Sequence, residues 1–389
     1  MALVLSINVN RALHNSGEAL GQRTKEDLKA AVYDQLKAEA AGYGDKVASY
    51  INATFQAPIV MKSVIEHSIE AQGDFSQTAL SRSQINLLIQ SQLAANSNIS
   101  AIYAQFETDG YDGNDSLYQD SNAIYNTIGS GALEIYWVRD RSQKLVQFRV
   151  EDSQEKYADT LNEFGVREAE WYLCSKDNKK PCAMEPYLYE IEDGYSELMT
   201  SLIAPIIINN QFRGVVGVDV NLPKFQILTE QLSQSLFSGE AKVTLLSETG
   251  LIVGSSHYED KVSRPLKEAL PKRSDTYLQL SDENSVLETD DYFVISHSIK
   301  ISASNNQWQF IIELPKDIAL ARADALVAEL KDSFTSINTQ QAILALVVTL
   351  LAAVIMTWII KSIVQPLYEL CNRIDNLASA DGDLTQQLK

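Results

Sequence analysis

An uncharged apolar segment constrains this chain more than any other feature of its sequence. Residues 342–360 read AILALVVTLLAAVIMTWII. As a helix this segment would be about 28 Å long at about 1.5 Å per residue, close to the hydrocarbon thickness of a bilayer. Trp358 suits an interface, and Lys361 favours a cytoplasmic side after the segment. The segment predicts a transmembrane helix, with a buried helix of a soluble protein as the alternative.

Composition describes a folded and acidic protein. The 389 residues are 45% hydrophobic and 21% charged, enough for two or three domains with a substantial core. The 51 acidic residues outnumber the 32 basic ones, for a formal charge of -19. Such a field repels phosphate backbones and favours cationic ligands, which argues against nucleic acid as a partner. Acidity that only keeps an exposed domain soluble explains the charge equally well.

The first residues, MALVLSI, are apolar but too short to span a bilayer, and no basic region precedes them. If residues 7–340 are exported, a preceding membrane helix is needed to deliver them. We therefore interpret residues 1–8 as the remnant of a first transmembrane helix.

Apolar periodicity predicts a long N-terminal helix followed by two groups of strands. Apolar residues recur every four positions from Leu28 to Leu36, and the pattern resumes from Val47 to Phe55. Short β-branched and aromatic runs form the first group of strands: ISAIYAQF, ALEIYWV, KLVQFRV and FRGVVGVDV. The second group reads AKVTLLSETGLIVGSS, DDYFVISHSI and QWQFIIEL, with a hairpin turn at Thr249-Gly250.

A pattern of strand, Leu-Pro-Lys and helix occurs twice, in VGVDVNLPKFQIL and in QFIIELPKDIAL. Pro223 and Pro315 suit the first turn of a helix, where a missing N–H costs nothing. Two copies of one α+β module are therefore predicted, each ending in a strand and an exit helix. The second exit helix would run into the membrane segment. A coincidence of three residues is the alternative.

Beyond the membrane segment, apolar residues are spaced by four, three, four and three positions, at Ile363, Leu367, Leu370, Ile374 and Leu377. This is a heptad seam, which must be buried against other helices. Dimerisation or a helical bundle is therefore expected.

The chain resembles the input half of bacterial methyl-accepting chemotaxis proteins: a double-Cache sensor, a second transmembrane helix and the start of a HAMP domain. KSIVQPLYELCNRIDNLASADGDLTQQL resembles the first HAMP helix and its connector, and FRGVVGVDVNL resembles the last strand of a membrane-distal Cache module. The fold class implied is α+β, with a long N-terminal helix, two PAS-like Cache modules with antiparallel sheets, a transmembrane helix and a HAMP helix. The expected domains are the helix remnant 1–8, the distal module 9–225, the proximal module 226–340, the transmembrane helix 341–361 and the partial HAMP domain 362–389.

The resemblance implies a homodimer in the inner membrane, with a periplasmic sensor that binds a small molecule and a cytoplasmic HAMP domain. Chemotaxis signalling proteins would be contacted through a further C-terminal region. The same input half also occurs on histidine kinases and diguanylate cyclases, and a membrane-anchored scaffold is a second alternative. Since no GxSxG, Walker loop, HExxH or kinase catalytic run is present, no enzymatic activity is expected. No cofactor is expected either.

The stretch REAEWYLCSKDNKKPCAMEPYLYE, residues 167–190, contains two cysteines eight positions apart. In an exported compartment Cys174 and Cys182 are expected to form a disulfide, with free buried thiols or a metal role as alternatives. The chain has four scattered histidines, which complete no zinc site with these cysteines. Cys371 is expected to be cytoplasmic and reduced.

In amino-acid-sensing double-Cache receptors the distal pocket resembles a pattern of Tyr, then Arg-x-Trp-Tyr, a later Tyr and a final Asp. The resemblance assigns ligand contacts to Trp171, Tyr172, Tyr187 and Asp219, with Asp219 pairing with a ligand ammonium. The arginine is displaced to Arg167, and Ala169 occupies its place. In an extended strand Arg167 would lie about 7 Å further along the same face.

The displaced arginine leaves the ligand class open. An aspartate and aromatic rings can hold an ammonium group without a partner for a carboxylate, so amines rival amino acids. The alternatives are that Trp171 and Tyr172 are core aromatics and that Asp219 has a turn or capping role.

Overall fold

The computed structural model describes residues 2–72, 79–192, 194–280 and 285–378, without the side chains of residues 2–14, 192, 195, 322–323, 338 and 376–378. It is an α+β fold, as predicted, and its strand pairs are antiparallel. The helices are α1 Ala2–Ala71, α2 Arg82–Ala95, α3 Glu170–Asn178, α4 Pro223–Ser235, α5 Leu266–Ala269, α6 Ser274–Leu278, α7 Lys316–Ile359 and α8 Gln365–Ala378. The strands are β1 Ala101–Phe106, β2 Glu134–Arg139, β3 Leu145–Phe148, β4 Cys182–Ala183, β5 Tyr187–Glu192, β6 Tyr195–Ile208, β7 Gln211–Asn221, β8 Lys242–Leu246, β9 Ile252–Ser255, β10 Val286–Glu288, β11 Tyr292–Ile301 and β12 Asn306–Pro315.

The strands form two sheets, which confirms the two predicted groups. The first sheet has the order β3-β2-β1-β7-β6-β4, with β5 also pairing with β6. The second has the order β10-β11-β12-β8-β9. The runs singled out in the sequence became β1, β2, β3 and β7 of the first sheet, whereas β4, β5 and β6 were not identified. We call the first sheet with its helices the distal module, and the second sheet with its helices the proximal module.

Helix α1 is continuous from residue 2 to residue 71, and its periodic apolar side chains are buried. Ile51 and Phe55 are at most 1% exposed, and Tyr50 packs edge-on against Phe225 at 5.5 Å between ring centroids. Tyr33 makes a similar contact with Phe293 of the second sheet. Burial of this stripe therefore holds the two modules along one helix. Residues 1–8, predicted to be the remnant of a membrane helix, have side chains that lie outside the described part of the structure.

The helix after the first Leu-Pro-Lys packs on the second sheet. Pro223 is the first residue of α4, and Phe225 packs edge-on against Trp308 of β12 at 5.4 Å. Gln226 Nε2 donates to the carbonyl of Ser255 in β9 at 2.8 Å. The predicted boundary after residue 225 thus falls inside a helix that belongs with the proximal module. In the second copy Pro315 ends β12, and α7 begins one residue later.

The C-terminal segment is helical and unburied. Lys316–Asp375 includes the apolar run with a window of mean hydropathy 2.8, the one candidate membrane span among the described residues. Its large side chains are solvent-exposed; Leu350 and Val354, for example, are 59% and 65% exposed. On α8 the described members of the predicted seam are exposed as well. The side chain of Leu377 and the predicted connector at residues 382–385 lie outside the described part.

Candidate functional site

A cavity of about 820 Å³ lies against the sheet of the distal module. Its wall is formed by side chains of β1, β2, β3, β5, β6 and β7, by the first turn of α3, by the connection from residue 149 to residue 168 and by residues 184–186. The proximal module contributes Leu251. Arg264 of the proximal module binds Glu163 at 2.7 Å, and its guanidinium lies 5.0 Å from the ring of Phe164, another wall residue. Both modules therefore contribute to the wall of the cavity.

Asp219 is the buried carboxylate of this cavity. Its side chain is 3% exposed and lies near the C-terminal end of β7, directly opposite Ser201 of β6 in the strand register. Ser201 Oγ donates to Asp219 Oδ1 at 2.5 Å, and the Tyr187 hydroxyl donates to the same oxygen at 3.1 Å. Among the described residues no donor reaches the second oxygen, Oδ2.

Burial controls the ionisation of Asp219. Desolvation raises the pKa of its carboxyl from 3.8 to about 6, although the hydrogen bonds from Ser201 and Tyr187 oppose this rise. The carboxyl is therefore ionised at neutral pH in an environment that disfavours its charge. A cation placed against Oδ2 would relieve this penalty.

Aromatic rings form most of the remaining wall. The lining side chains of this type are Tyr103, Tyr136, Phe148, Phe164, Trp171, Tyr187 and Tyr189. Many of them meet edge to face, including Tyr103 with Trp171 at 5.3 Å and Tyr136 with Tyr189 at 6.1 Å. A cation near these ring faces gains cation–π attraction of about 0.5–2 kcal/mol. The wall is thus suited to an organic cation with an apolar body.

The structure brings four of the five predicted ligand residues to this cavity: Arg167, Trp171, Tyr187 and Asp219. The fifth, Tyr172, is fully buried outside the lining, where its hydroxyl donates to Glu107 Oε1 at 2.7 Å and its ring packs against Phe212. The assumed strand at Trp171-Tyr172 is wrong, because α3 starts at Glu170. On a helix adjacent side chains diverge by about 100°, so one ring faces the cavity and its neighbour faces the core.

The disulfide between Cys174 and Cys182 is confirmed, and it ties α3 to β4. Cys182 pairs in register with Ile203 of β6, the strand that carries Ser201. The cross-link therefore fixes the helix of Trp171 beside the strand that orients Asp219. The hydrophobic cluster around the bridge includes Tyr103 and Tyr172.

The cations of the cavity wall are already bound to protein groups. Arg167 Nε lies 2.5 Å from Glu170 Oε2, and its Nη1 lies 2.7 Å from Asp177 Oδ2. Lys156 Nζ donates to Glu134 Oε1 at 2.5 Å and to the carbonyl of Phe106 at 2.6 Å.

The third cation of the wall, Arg149, donates to the backbone carbonyls of Asn126 and Asn122 at 2.8 and 3.0 Å. Seven carboxylates line the cavity against these three cations: Glu151, Asp152, Glu155, Glu168, Glu185, Glu190 and Asp219. The cavity therefore favours positive charge.

Sequence reasoning missed several residues of the site. Tyr103 of β1 lies opposite Tyr136 of β2 and Gly217 of β7, and Ser201 lies opposite Asp219. Tyr103, Tyr136 and Gly217 stand in runs that only indicated strands, and Ser201 stands in β6, which was not identified. Only the register between strands far apart in the sequence shows that these residues are neighbours. A single sequence gives little information on that register. Among the described residues, no group of three or more His, Cys, Asp or Glu side chains is arranged to hold a metal ion.

Residues 88–227 match the family model for the methyl-accepting chemotaxis protein-like first PDC sensor domain. Over 394 aligned residues the chain is 26% identical to the methyl-accepting chemotaxis protein TlpQ of Pseudomonas aeruginosa, covering all of this chain and 54% of that protein. It is 24% identical to PctB of the same organism over 60% of this chain and 34% of that protein. The chain spans about half the length of the first of these relatives and a third of the second.

Solved structures share the fold of the sensor region. The extracellular domain of a histidine kinase, mmHK1S-Z3, aligns with a TM-score of 0.57 at 20% identity, covering 76% of this chain and 98% of that one. The periplasmic sensory domain of the Campylobacter jejuni chemoreceptor Tlp1 aligns with a TM-score of 0.53 at 14% identity, covering 75% of this chain and 98% of that one. At these identities the likeness concerns the fold alone.

Proposed function

We propose that this chain is the input half of a methyl-accepting chemotaxis protein and that its periplasmic sensor binds a small organic amine in the distal cavity. The match of residues 88–227 to a chemotaxis protein-like sensor domain and the 26% identity to TlpQ support the first part. The ammonium group of the ligand lies against Asp219 Oδ2, and its apolar body contacts Trp171 and the neighbouring tyrosines. Tyr187 and Ser201 hold the carboxylate in place from its other oxygen.

One observation carries this proposal: the anionic and cationic groups of the cavity wall differ in whether protein partners already occupy them. Asp219 has a carboxylate oxygen without a donor among the described residues, whereas Arg149, Lys156 and Arg167 are each bound to protein acceptors. A charge-assisted hydrogen bond to a buried carboxylate is among the stronger polar contacts. The wall therefore offers an acceptor to a ligand ammonium group, whereas its cations are already paired and offer no partner to a ligand carboxylate.

An amino acid is the alternative ligand. It would need a cation for its carboxylate, and Arg167 is the candidate nearest to Trp171 in sequence. Arg167 would first have to leave Glu170 and Asp177, which together raise the pKa of its guanidinium. An amine requires no such rearrangement.

Three matched compounds test the ligand class. Phenethylamine has only the ammonium group, phenylalanine adds a carboxylate, and 3-phenylpropionate keeps the carboxylate alone. Binding to the 389-residue chain in lipid nanodiscs is measured by calorimetry and tryptophan fluorescence. We expect phenethylamine to bind more tightly than phenylalanine, 3-phenylpropionate to show no binding, and Asp219→Asn to abolish binding.

The matched control is Asp290→Asn, which alters an exposed acidic residue outside the cavity. It should bind phenethylamine as the wild type does. Binding of 3-phenylpropionate, or unchanged binding by Asp219→Asn, would show that the ligand class or its anchor is wrong.

For the remaining architecture we propose an inner-membrane homodimer, with residues 341–361 in the bilayer and the partial HAMP domain in the cytoplasm. The exposed apolar surface of the candidate span supports the membrane assignment. The exposed ridge of Ile363, Leu367, Leu370 and Ile374 supports burial against a second copy. Chemotaxis signalling proteins would be reached through a C-terminal region. A histidine kinase or diguanylate cyclase output remains the alternative, since the sensor fold also occurs on a kinase.

Site-directed cross-linking tests the dimer. With Cys371→Ser as background, Leu370→Cys places a thiol on the seam and Glu369→Cys places one beside it. In nanodiscs we expect rapid oxidative dimer formation by the first variant and slow formation by the second. Equal rates would contradict the seam.

A further inference from the structure

Tyr103 occupies an unusual position in the cavity wall. It lies on β1 opposite Gly217 of β7, and its ring covers that glycine so closely that an added Cβ would stand 2.0 Å from Tyr103 Cζ. Trp171 packs edge-on against the other side of the ring. Tyr103 is 5% exposed, so its ring is fixed by contacts on two sides.

Among the described residues the buried hydroxyl of Tyr103 makes no hydrogen bond of normal geometry, although the Ser201 hydroxyl lies close enough to oppose the rise in its pKa. Its polar neighbours already bond to one another and to Asp219: Ser201 Oγ donates to Asp219 Oδ1 at 2.5 Å, and the Tyr187 hydroxyl lies 2.7 Å from Ser201 Oγ and 3.1 Å from Asp219 Oδ1, so its one proton is shared between them. Leaving a buried polar group unsatisfied destabilises a fold. Buried groups of this kind in native proteins call for an explanation, such as a partner that the protein itself does not supply.

The proton of the Tyr103 hydroxyl needs an acceptor, whereas its oxygen could also accept from a donor such as a ligand ammonium group. Burial and the nearby charge of Asp219 raise the pKa of Tyr103, so the hydroxyl keeps its proton. A ligand ammonium group has no lone pair, so it cannot accept that proton. A ligand that satisfies both groups therefore carries an ammonium for Asp219 and a separate acceptor for Tyr103.

We propose that Tyr103 is a specificity-determining residue, which selects amines with a neutral hydrogen-bond acceptor, such as a ring nitrogen or a hydroxyl, near the ammonium group. The acceptor is neutral because the cations of the described wall are bound to protein groups, which leaves a carboxylate without a counter-ion. This inference rests on the proposed amine site and narrows its ligand class.

The test compares 2-(2-aminoethyl)pyridine with phenethylamine, which has the same shape but lacks the ring nitrogen. Affinities are measured by calorimetry on the 389-residue chain in nanodiscs, for the wild type and Tyr103→Phe. We expect the wild type to bind the pyridine at least about tenfold more tightly, as one neutral hydrogen bond allows. Tyr103→Phe should bind the two compounds within about twofold of each other.

A second measurement needs no ligand. Thermal unfolding of ligand-free Tyr103→Phe should occur at the wild-type temperature or above, because the variant removes an unsatisfied hydroxyl. Tyr187→Phe is the matched control and should unfold several degrees lower, because its hydroxyl bonds to Ser201 and Asp219.

The outcomes separate the two proposals. Equal binding of both amines by the wild type overturns the role of Tyr103 and leaves the amine site standing. A preference that persists in Tyr103→Phe, or destabilisation by Tyr103→Phe as large as that by Tyr187→Phe, overturns it as well. If the wild type binds neither amine, the proposed function fails, and this inference fails with it.

Discussion

Ser201 Oγ donates a 2.5 Å hydrogen bond to Asp219 Oδ1 across adjacent strands, at a position where both residues are almost completely buried. The bond fixes the carboxylate from one side and leaves Oδ2 without a donor among the described residues. A preorganised buried acceptor of this kind binds a donor without first having to be ordered. The ligand properties proposed above depend on this arrangement.

The first prediction concerns the pH dependence of amine binding. Desolvation raises the pKa of Asp219 to about 6, and only the ionised carboxylate pairs with an ammonium group. The affinity for phenethylamine should be constant at pH 7–8 and fall about tenfold for each unit below about pH 6. Calorimetry from pH 4.5 to 8 measures this profile. Constant affinity down to pH 4.5 would exclude Asp219 as the anchor.

The second prediction concerns the stability of the ligand-free sensor. Because the pKa of Asp219 is raised from 3.8 to about 6, the folded state holds this proton more tightly than the unfolded chain does. The contribution of Asp219 to the free energy of unfolding should therefore decrease as the pH rises from about 4 to 6, by about 3 kcal/mol in total.

Asp219→Asn removes this buried charge and retains an acceptor for Ser201 and Tyr187. At pH 7.5 the ligand-free variant should unfold at a higher temperature than the wild type, and the difference should shrink towards pH 4. Thermal unfolding in nanodiscs measures both effects. A variant that is less stable at pH 7.5 would indicate that the ionised carboxylate contributes to the fold.

The third prediction concerns Gly217→Ala. The new Cβ would overlap the ring of Tyr103, with Cζ at 2.0 Å. Since Trp171 packs against the same ring, the displacement should reach the cavity wall. Overpacking of this kind typically costs about 1–3 kcal/mol. Chemical denaturation measures the loss, and phenethylamine binding should weaken in parallel.

Gly42→Ala is the matched control, because no atom lies within 4 Å of the Cβ it would add on helix α1. Alanine is favoured over glycine inside a helix by about 1 kcal/mol, so this variant should be as stable as the wild type or more so. A loss of stability at Gly42 equal to that at Gly217 would argue against the overlap as the cause.

The fourth prediction concerns the disulfide. Replacing both Cys174 and Cys182 by serine opens a loop with a sequence separation of 8. The chain-entropy account gives a loss of about 2–3 kcal/mol in the free energy of unfolding. Because the bridge ties α3 to β4, phenethylamine binding should also weaken. Cys371→Ser, at an exposed position outside the sensor modules, should change neither property. Unchanged binding by the double variant would separate the disulfide from the cavity.

Much of the fold was predictable because its signals are local. Apolar residues spaced four positions apart indicated α1, and β-branched runs indicated β1, β7 and β12. The Leu-Pro-Lys repeat indicated two related modules. The long strand β6 was missed, although it carries Ser201 and pairs with β7 along its length. The predicted boundary after residue 225 divides the helix α4, because the sequence does not show which sheet that helix packs on.

The sequence by itself determined the α+β class, the candidate membrane helix and the disulfide pair, and it singled out Asp219 and Trp171 as candidate ligand contacts. These properties depend on residue types and on short spacings, which can be recognised in a single sequence. Only the tertiary structure decided which side chains share the cavity. Because α3 is a helix, Tyr172 faces the core while its neighbour Trp171 faces the cavity. Arg167 forms ion pairs with Glu170 and Asp177. Strand register places Tyr103 and Ser201 beside Asp219. Such juxtapositions are set by the packing of segments far apart in the chain, so no local pattern specifies them.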